Sequence, residues 1–287
     1  MKKLMVATDF SERSDRALRR ATLLARQFGA TITLIHVVDD DHPRRIVDAE
    51  HAAASTLLQQ MAATLLEVDG VECESHVVLA SPFAGIIEAV ENMRPDLLVI
   101  GPHRRQVLKD VFIGTTAERL IRLVSCPVLM VNAPPAGRYR HVMQTTDLSE
   151  SSCDALQRFP ALGIGKEARN TLLHIFNAPA LRLVMSHAMP KGERDRYLAD
   201  EQKAASRDLE EFVVTAKLGN VLPKVRYEAA VTHLEILTAA ESEKADLIVV
   251  STHGRTGLAK LLIGSVTEKV LLSSSIDVLA IPPMRSK

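Results

Sequence analysis

Short, continuous apolar runs alternate along this chain with longer stretches in which apolar residues recur every three or four positions. This is the pattern of buried strands separated by amphipathic helices. In the first half the runs Lys3–Thr8, Ala30–Val38, Val71–Leu79, Leu97–Gly101 and Pro127–Val131 predict strands. Helical periodicity covers Glu12–Phe28, about Val47–Leu66, Phe83–Met93 and Thr115–Val124. Ser11 is placed to cap the first helix, and Gly29 to end it. The second half repeats the plan, with strands at Arg140–Thr145, Thr171–Phe176, Lys224–Ala230, Leu247–Ser251 and Val278–Ile281. Strands that read as unbroken apolar runs are buried on both faces, which predicts an α/β fold with a mostly parallel sheet between helical layers.

The two halves are copies. Thr8-Asp9-Phe10-Ser11 matches Thr146-Asp147-Leu148-Ser149, and His36-Val37 matches His174-Ile175, both at an offset of 138 residues. Further on, Asp96–Ile100 matches Asp246–Val250, and His103, Gly114 and Glu118 match His253, Gly264 and Glu268, at an offset of 150. The second copy therefore carries 12 extra residues between His174 and Asp246. The stretch Ala178–Ala199, where Leu181, Leu183, Val184, Met185 and Met189 mix with Arg182, Arg194 and Arg196, is the expected insertion, and reads as a lid, a patch for a partner or lipid, or a plain surface loop. Asn132–Gly137, rich in proline, serves as the linker, so the expected domains are 1–135 and 136–287.

Composition narrows the function. Thirty-five basic and 35 acidic residues balance, leaving no global field to draw nucleic acid or an anionic membrane. Aromatic residues are scarce and tryptophan is absent, which removes stacking platforms for single strands. Cys73, Cys126 and Cys153 form no metal or disulfide pattern, a reducing cytoplasm is the expected location, and no run approaches the length of a membrane span. The acidic run Asp39–Asp41 with His42 reads as a solvated loop, so no metal site is expected. Motifs for phosphate-loop ATPases, serine hydrolases, zinc proteases and kinases are all missing, and no catalytic residue is proposed.

The chemistry lies at the carboxyl ends of the strands, where open α/β sheets bind ligands. The first copy carries Gly101-x-x-Arg104-x9-Gly114-Thr115, and the second Ser251-x-x-Gly254-x9-Gly264-Ser265. Small residues let backbone N–H groups approach phosphate oxygens, and a following helix points its N-terminus at the same anion. In the second copy Gly264, the Ser265 hydroxyl and the N–H groups of Val266 and Thr267 would make that contact, with Asp147 at the end of the neighbouring strand. These glycines are equally at home as turn residues, and Asp9, Asp147, Ser11 and Ser149 as helix caps. His36 and His174 read as satisfied core histidines.

With these motifs the chain resembles the universal stress proteins, in their tandem form, over nearly its whole length. The resemblance implies two five-stranded, doubly wound, Rossmann-like domains with strand order 3-2-1-4-5, and ATP, with or without Mg2+, bound without evident hydrolysis. Carried onto the second copy, it implies Asp147 beside the ribose and base, the Ile175 backbone at the adenine, and Ser251, His253, Gly254, Gly264, Ser265 and Val266 around the phosphates, with Arg255 and Thr267 completing the expected nucleotide-binding set. It also implies pairing of the two copies through their last strands, Cys126–Val131 and Ile276–Ile281, as an intramolecular pseudo-dimer, with a homodimer left open.

Each copy departs from the family loop. Ser251 replaces its first glycine, a small change expected to be tolerated. In the first copy Pro102 removes an N–H and Arg104 replaces the second glycine, so a site made of Asp9, Val37, Gly101, His103, Arg104, Gly114 and Thr115 is expected to be degenerate, unless the Arg104 guanidinium takes over the phosphate. The expected function is thus a nucleotide-binding, non-catalytic stress-response regulator acting on a protein partner. The alternative is a nucleotide-free scaffold that works through its surfaces and the 178–199 insertion.

Overall fold

A computed structural model describes residues 1–102, 116–182, 190–252 and 263–282. The first unit runs β1 (Lys3–Ala7), α1 (Glu12–Phe28), β2 (Thr31–Val38), α2 (Arg44–Asp69), β3 (Cys73–Leu79), α3 (Pro82–Met93), β4 (Leu97–Ile100), α4 (Thr116–Leu123) and β5 (Val128–Met130). The second runs β6 (His141–Thr146), α5 (Glu150–Arg158) with a 3-10 turn at Phe159–Leu162, β7 (Arg169–Phe176), α6 (Pro179–Arg182) and α7 (Lys191–Thr215). It continues through β8 (Leu222–Tyr227), α8 (Thr232–Ser242), β9 (Leu247–Ser251), α9 (Ser265–Ser273) and β10 (Asp277–Ile281).

Local chemistry sets the boundaries. The Ser11 side chain accepts from the Ser14 N–H and opens α1, and Gly29 closes it in the left-handed region at φ 61°. Ser149 caps α5 in the same way. Most of the extra length of the second copy falls before its long helix. Five residues, 39–43, join β2 to α2, whereas fourteen, 177–190, join β7 to α7. Within the expected insertion, Ala178–Ala199, Pro179–Arg182 forms α6 and Lys191–Ala199 forms the opening turns of α7. Glu193 sits in the first turn of α7, where a helix N-terminus favours acids.

The strands of both units join in one sheet, ordered β3-β2-β1-β4-β5-β10-β9-β6-β7-β8 among the described residues. Each half therefore has the order 3-2-1-4-5. Neighbours within a half are parallel, while β5 and β10 pair antiparallel, with Leu129 opposite Leu279 and Val128 opposite Ala280. Alternate residues feed two cores, one on each face. Met5, Leu98, Met130 and Val278 point to one, and Leu4, Val6, Leu129 and Leu279 to the other, so both cores run unbroken across the joint.

One end of that joint is clasped by a buried polar cluster. Asp277, at the start of β10, is fully buried and accepts from Nε of Arg20 on α1 at 3.1 Å, from the Tyr139 hydroxyl at 2.5 Å, and from the N–H groups of Asn132 and Ala133 at 2.9 and 3.0 Å. Arg20 also donates from Nη1 to the Gly137 carbonyl at 2.6 Å and lies 4.2 Å from the centre of the Tyr139 ring. First-unit helix, linker and second-unit strand thus meet on one carboxylate.

Candidate functional site

β1 pairs with β4, and β6 with β9, so in each unit the first strand ends beside the fourth. A crevice opens there in both halves. The second holds a cavity of about 480 Å3 lined by Thr146, Asp147, His174, Ile175, Phe176, Ser251, Gly264, Ser265, Val266 and Thr267, together with side chains from α7 and α8. The first holds about 400 Å3 lined by Thr8, Asp9, Arg13, His36, Val37, Gly101 and Pro102, among others. The predicted residues Asp147, Ile175, Ser251, Gly264, Ser265, Val266 and Thr267 are therefore brought to one cavity. His103, Arg104, Gly114, Thr115, His253, Gly254 and Arg255 lie outside the described residues.

The aspartates are held by a repeated turn. Asp147 Oδ1 accepts from the N–H of Ser149 at 3.1 Å and from its hydroxyl at 2.5 Å, and Asp9 does the same with Ser11. The serines are thus the caps and the aspartates brace them. Between them Phe10 and Leu148 are left-handed, at φ 56° and 63°, a conformation that costs a residue with a Cβ about 1 kcal/mol. The Thr8 and Thr146 hydroxyls help hold it by accepting from the Phe10 and Leu148 N–H groups at 3.0 and 2.9 Å. His36 and His174 engage the carbonyls of Thr8 and Thr146 through Nδ1, at 2.8 and 2.9 Å, as expected of satisfied histidines on inner strands.

At the other side of the second cavity stands the start of α9. Gly264 precedes it with φ −61° and ψ 137°, which any residue can adopt, and among the described residues a Cβ built there would meet only Thr267 Oγ1, at 3.9 Å. Neither backbone conformation nor packing among the described residues demands glycine at this position. Among the described residues no side chain caps α9 at Gly264, and the first-turn N–H groups of Ser265, Val266 and Thr267 have no helical carbonyl to use. Gly264 itself donates to the Thr252 carbonyl at 3.0 Å and Thr267 Oγ1 to the Ser251 carbonyl at 2.8 Å, which fixes the helix start against the end of β9.

The first cavity differs in two respects. Asp9 has a cation beside it, Arg13 Nη2 at 3.4 Å, where the second copy has Ser151. Burial works to raise the Asp9 pKa, but the Ser11 donors and Arg13 outweigh it and hold the carboxyl below its ordinary value. Gly101 is glycine for a structural reason, since a Cβ there would lie 2.7 Å from the Arg13 carbonyl oxygen in the first turn of α1. Replacing Gly101 with serine, the residue of the second copy, is expected to cost about 1–3 kcal/mol through overpacking. Equilibrium urea unfolding measures this, and unchanged stability would refute the packing account.

Sequence reasoning missed one wall. Glu201, Ala204, Ala205 and Asp208 from α7, with Glu228 and Thr232 around the start of α8, complete the second cavity and make that side acidic. Their spacing of three to four residues along α7 is the signal that marks them as one face. The loop into α8 is held by Glu235, whose carboxylate pairs with Arg226 Nε at 2.6 Å and accepts the Ala230 N–H at 2.8 Å. The Arg226 hydrogen bond is the main reason its pKa lies below the ordinary glutamate value. A lowered folded-state pKa gives stability that is present above the unfolded value of about 4.3 and is lost as pH falls through the folded one. Thermal melts from pH 7 downward are therefore expected to show a fall in stability below about pH 4.3 that is shallower in Glu235→Gln. Parallel profiles for the two proteins would refute it.

Among the described residues no group of three or more His, Cys, Asp or Glu side chains is placed to hold a metal ion, and no helix is long and apolar enough to cross a membrane. The model of the universal stress protein family matches residues 1–132 and again 138–282. The chain belongs to the universal stress protein family. Universal stress protein E of Escherichia coli K12 is 24% identical over 297 residues, covering 98% of this chain and 93% of that protein. Universal stress protein MJ0531 of Methanocaldococcus jannaschii is 32% identical over 142 residues, 46% of this chain and 83% of the relative, which is the match of a single unit. Among solved structures, a universal stress protein from Archaeoglobus fulgidus DSM 4304 superposes with a TM-score of 0.70 at 19% identity, covering 98% of both chains. At that identity the likeness establishes the fold, here the complete tandem arrangement of the family.

Proposed function

We propose that this member of the universal stress protein family is a nucleotide-binding regulator, with ATP in the second-unit cavity and binding, not turnover, as its activity. The observation that carries this reading is the combination, in one cavity of about 480 Å3, of the Asp147 carboxylate with a helix N-terminus fronted by a glycine that packing among the described residues does not require. Ribose hydroxyls are donors suited to Asp147. Phosphate oxygens are acceptors suited to the N–H groups of Ser265, Val266 and Thr267, aided by the positive end of the α9 dipole. Ile175 and Phe176 offer an apolar wall to the base. The acidic wall sets the direction, because Glu201, Asp208 and Glu228 repel phosphates and accept from an exocyclic amine or from hydroxyls. The nucleotide is accordingly oriented with its phosphates, and any accompanying Mg2+, toward α9.

In this reading the domains divide within the linker, as 1–135 and 136–287, and the protein acts in the cytoplasm on a protein partner whose choice follows nucleotide occupancy. The first cavity is the degenerate one, since Pro102 has no N–H to give and Arg104 stands where the loop pattern has its second glycine. The test is the nucleotide content of freshly purified protein, released by denaturation, followed by titration of the emptied protein with ATP. Recovered ATP or saturable binding supports the reading. Finding neither removes it and leaves the interaction scaffold.

A further inference from the structure

The antiparallel pairing centred on Leu129 and Leu279 relates the two units by a pseudo-twofold axis, so each feature at one end of the joint has a counterpart at the other. Arg158 is the counterpart of Arg20, each lying nine residues after the capping serine, Ser149 or Ser11. Pro127 stands directly before β5 as Asp277 opens β10, and Met1 precedes Lys3 of β1 by two residues as Tyr139 precedes His141 of β6. At the Arg20 end the space is filled by the Asp277 carboxylate and the Tyr139 ring. At the Arg158 end proline and methionine replace acid and phenol, and a cavity of about 600 Å3 opens, lined by Met1, Arg94, Pro127, Arg158, Leu162 and Ile281, among others.

Arg158 donates to the Pro282 carbonyl through Nη1, much as Arg20 donates to Gly137, and among the described residues it makes no ion pair. Asp96 lines the same cavity, but its carboxylate accepts from the Lys2 and Lys3 N–H groups at 2.5 and 3.0 Å. We propose that this cavity is a second ligand site, independent of the nucleotide, for a small monocyclic aromatic carboxylate. The carboxylate sits on the Arg158 guanidinium, the fork geometry that arginine offers carboxylates. The ring lies among Met1, Ala161 and Leu162, in the place and against the kind of guanidinium that Tyr139 occupies at the other end. The molecule thus carries, in covalent form at one end of its joint, the pair of groups that the other end lacks. The cavity is large enough to admit a ligand of this size.

The probe is 4-hydroxybenzoate, titrated into the full chain and followed by ligand-observed NMR. One saturable site is expected, weakened about tenfold or more in Arg158→Gln and unaffected by Gly264→Gln, with 4-hydroxybenzamide binding about tenfold more weakly than the acid. Pro127→Asp supplies the carboxylate that the counterpart has and is expected to abolish probe binding without lowering the melting temperature. It keeps the proposal testable should Arg158→Gln fail to fold. Absence of saturable binding by the wild type, undiminished binding by Pro127→Asp, or equal displacement by inorganic sulfate would each overturn the assignment.

Discussion

Gly264→Gln is expected to weaken ATP binding by about two orders of magnitude or more, a loss near 2.7 kcal/mol, while leaving the fold as stable as the wild type within about 0.5 kcal/mol. The two halves of this expectation rest on separate observations. Stability survives because φ −61° and ψ 137° are open to any residue and because, among the described residues, the nearest atom to a new Cβ is Thr267 Oγ1, at 3.9 Å. Binding is lost because the added side chain projects where phosphate oxygens must come to reach the N–H groups that open α9. Calorimetric titration with ATP, paired with a thermal melt in the absence of ligand, reads both. Unchanged affinity would mean that nucleotide, if bound, lies elsewhere. A collapsed melt would mean that the glycine has a structural task that its surroundings do not reveal.

Much of this architecture was legible in the chain before any coordinates. The repeat offsets located both crevices, since Asp9 and Asp147 recur in identical turns, and the serine after each proved to be the helix cap. Local rules decide such features, so local patterns reveal them. Where the reading fell short, tertiary context was the deciding influence. β8 begins at Leu222, earlier than the expected Lys224, and includes Pro223; a proline is tolerated because β8 lies at the end of the sheet with one edge unpaired. The acidic wall of α7 was legible only as a helix face, because nothing near residues 201–208 states that this helix covers the end of β7. Gly101 and Gly264 looked like two parts of one phosphate motif. One is required by the backbone of Arg13, and the other by no neighbour among the described residues. Asp277 was read merely as part of an apolar edge strand, although an acid where its counterpart is Pro127 was the available sign that the two ends of the joint differ.

That acid carries the largest expected effect on stability. Burial is the main influence on Asp277 and raises its pKa, against the opposing pull of the Tyr139 hydroxyl, Arg20 and the N–H groups of Ala133 and Asn132. A carboxylate so desolvated contributes little net stability by its presence, yet its removal strands every group that faced it. Asp277→Ala leaves the Arg20 guanidinium, with its side chain only 6% exposed, without a counter-charge, and leaves the Tyr139 hydroxyl and two linker N–H groups without their acceptor. The expected cost is about 3–5 kcal/mol, measured by urea unfolding. Arg138→Ala is the control, because the Arg138–Glu167 pair is 60% and 70% exposed and is expected to contribute no more than about 1 kcal/mol. In the double variant Arg20→Met, Asp277→Leu most of the loss should return, since no charge is then left buried. A double variant no more stable than Asp277→Ala would show that the linker N–H groups and the Tyr139 hydroxyl, not the ion pair, make the carboxylate indispensable. An Asp277→Ala protein as stable as the wild type would mean that the joint is held by the β5–β10 ladder and the two continuous cores alone, with the clasp only selecting which end of the joint is closed.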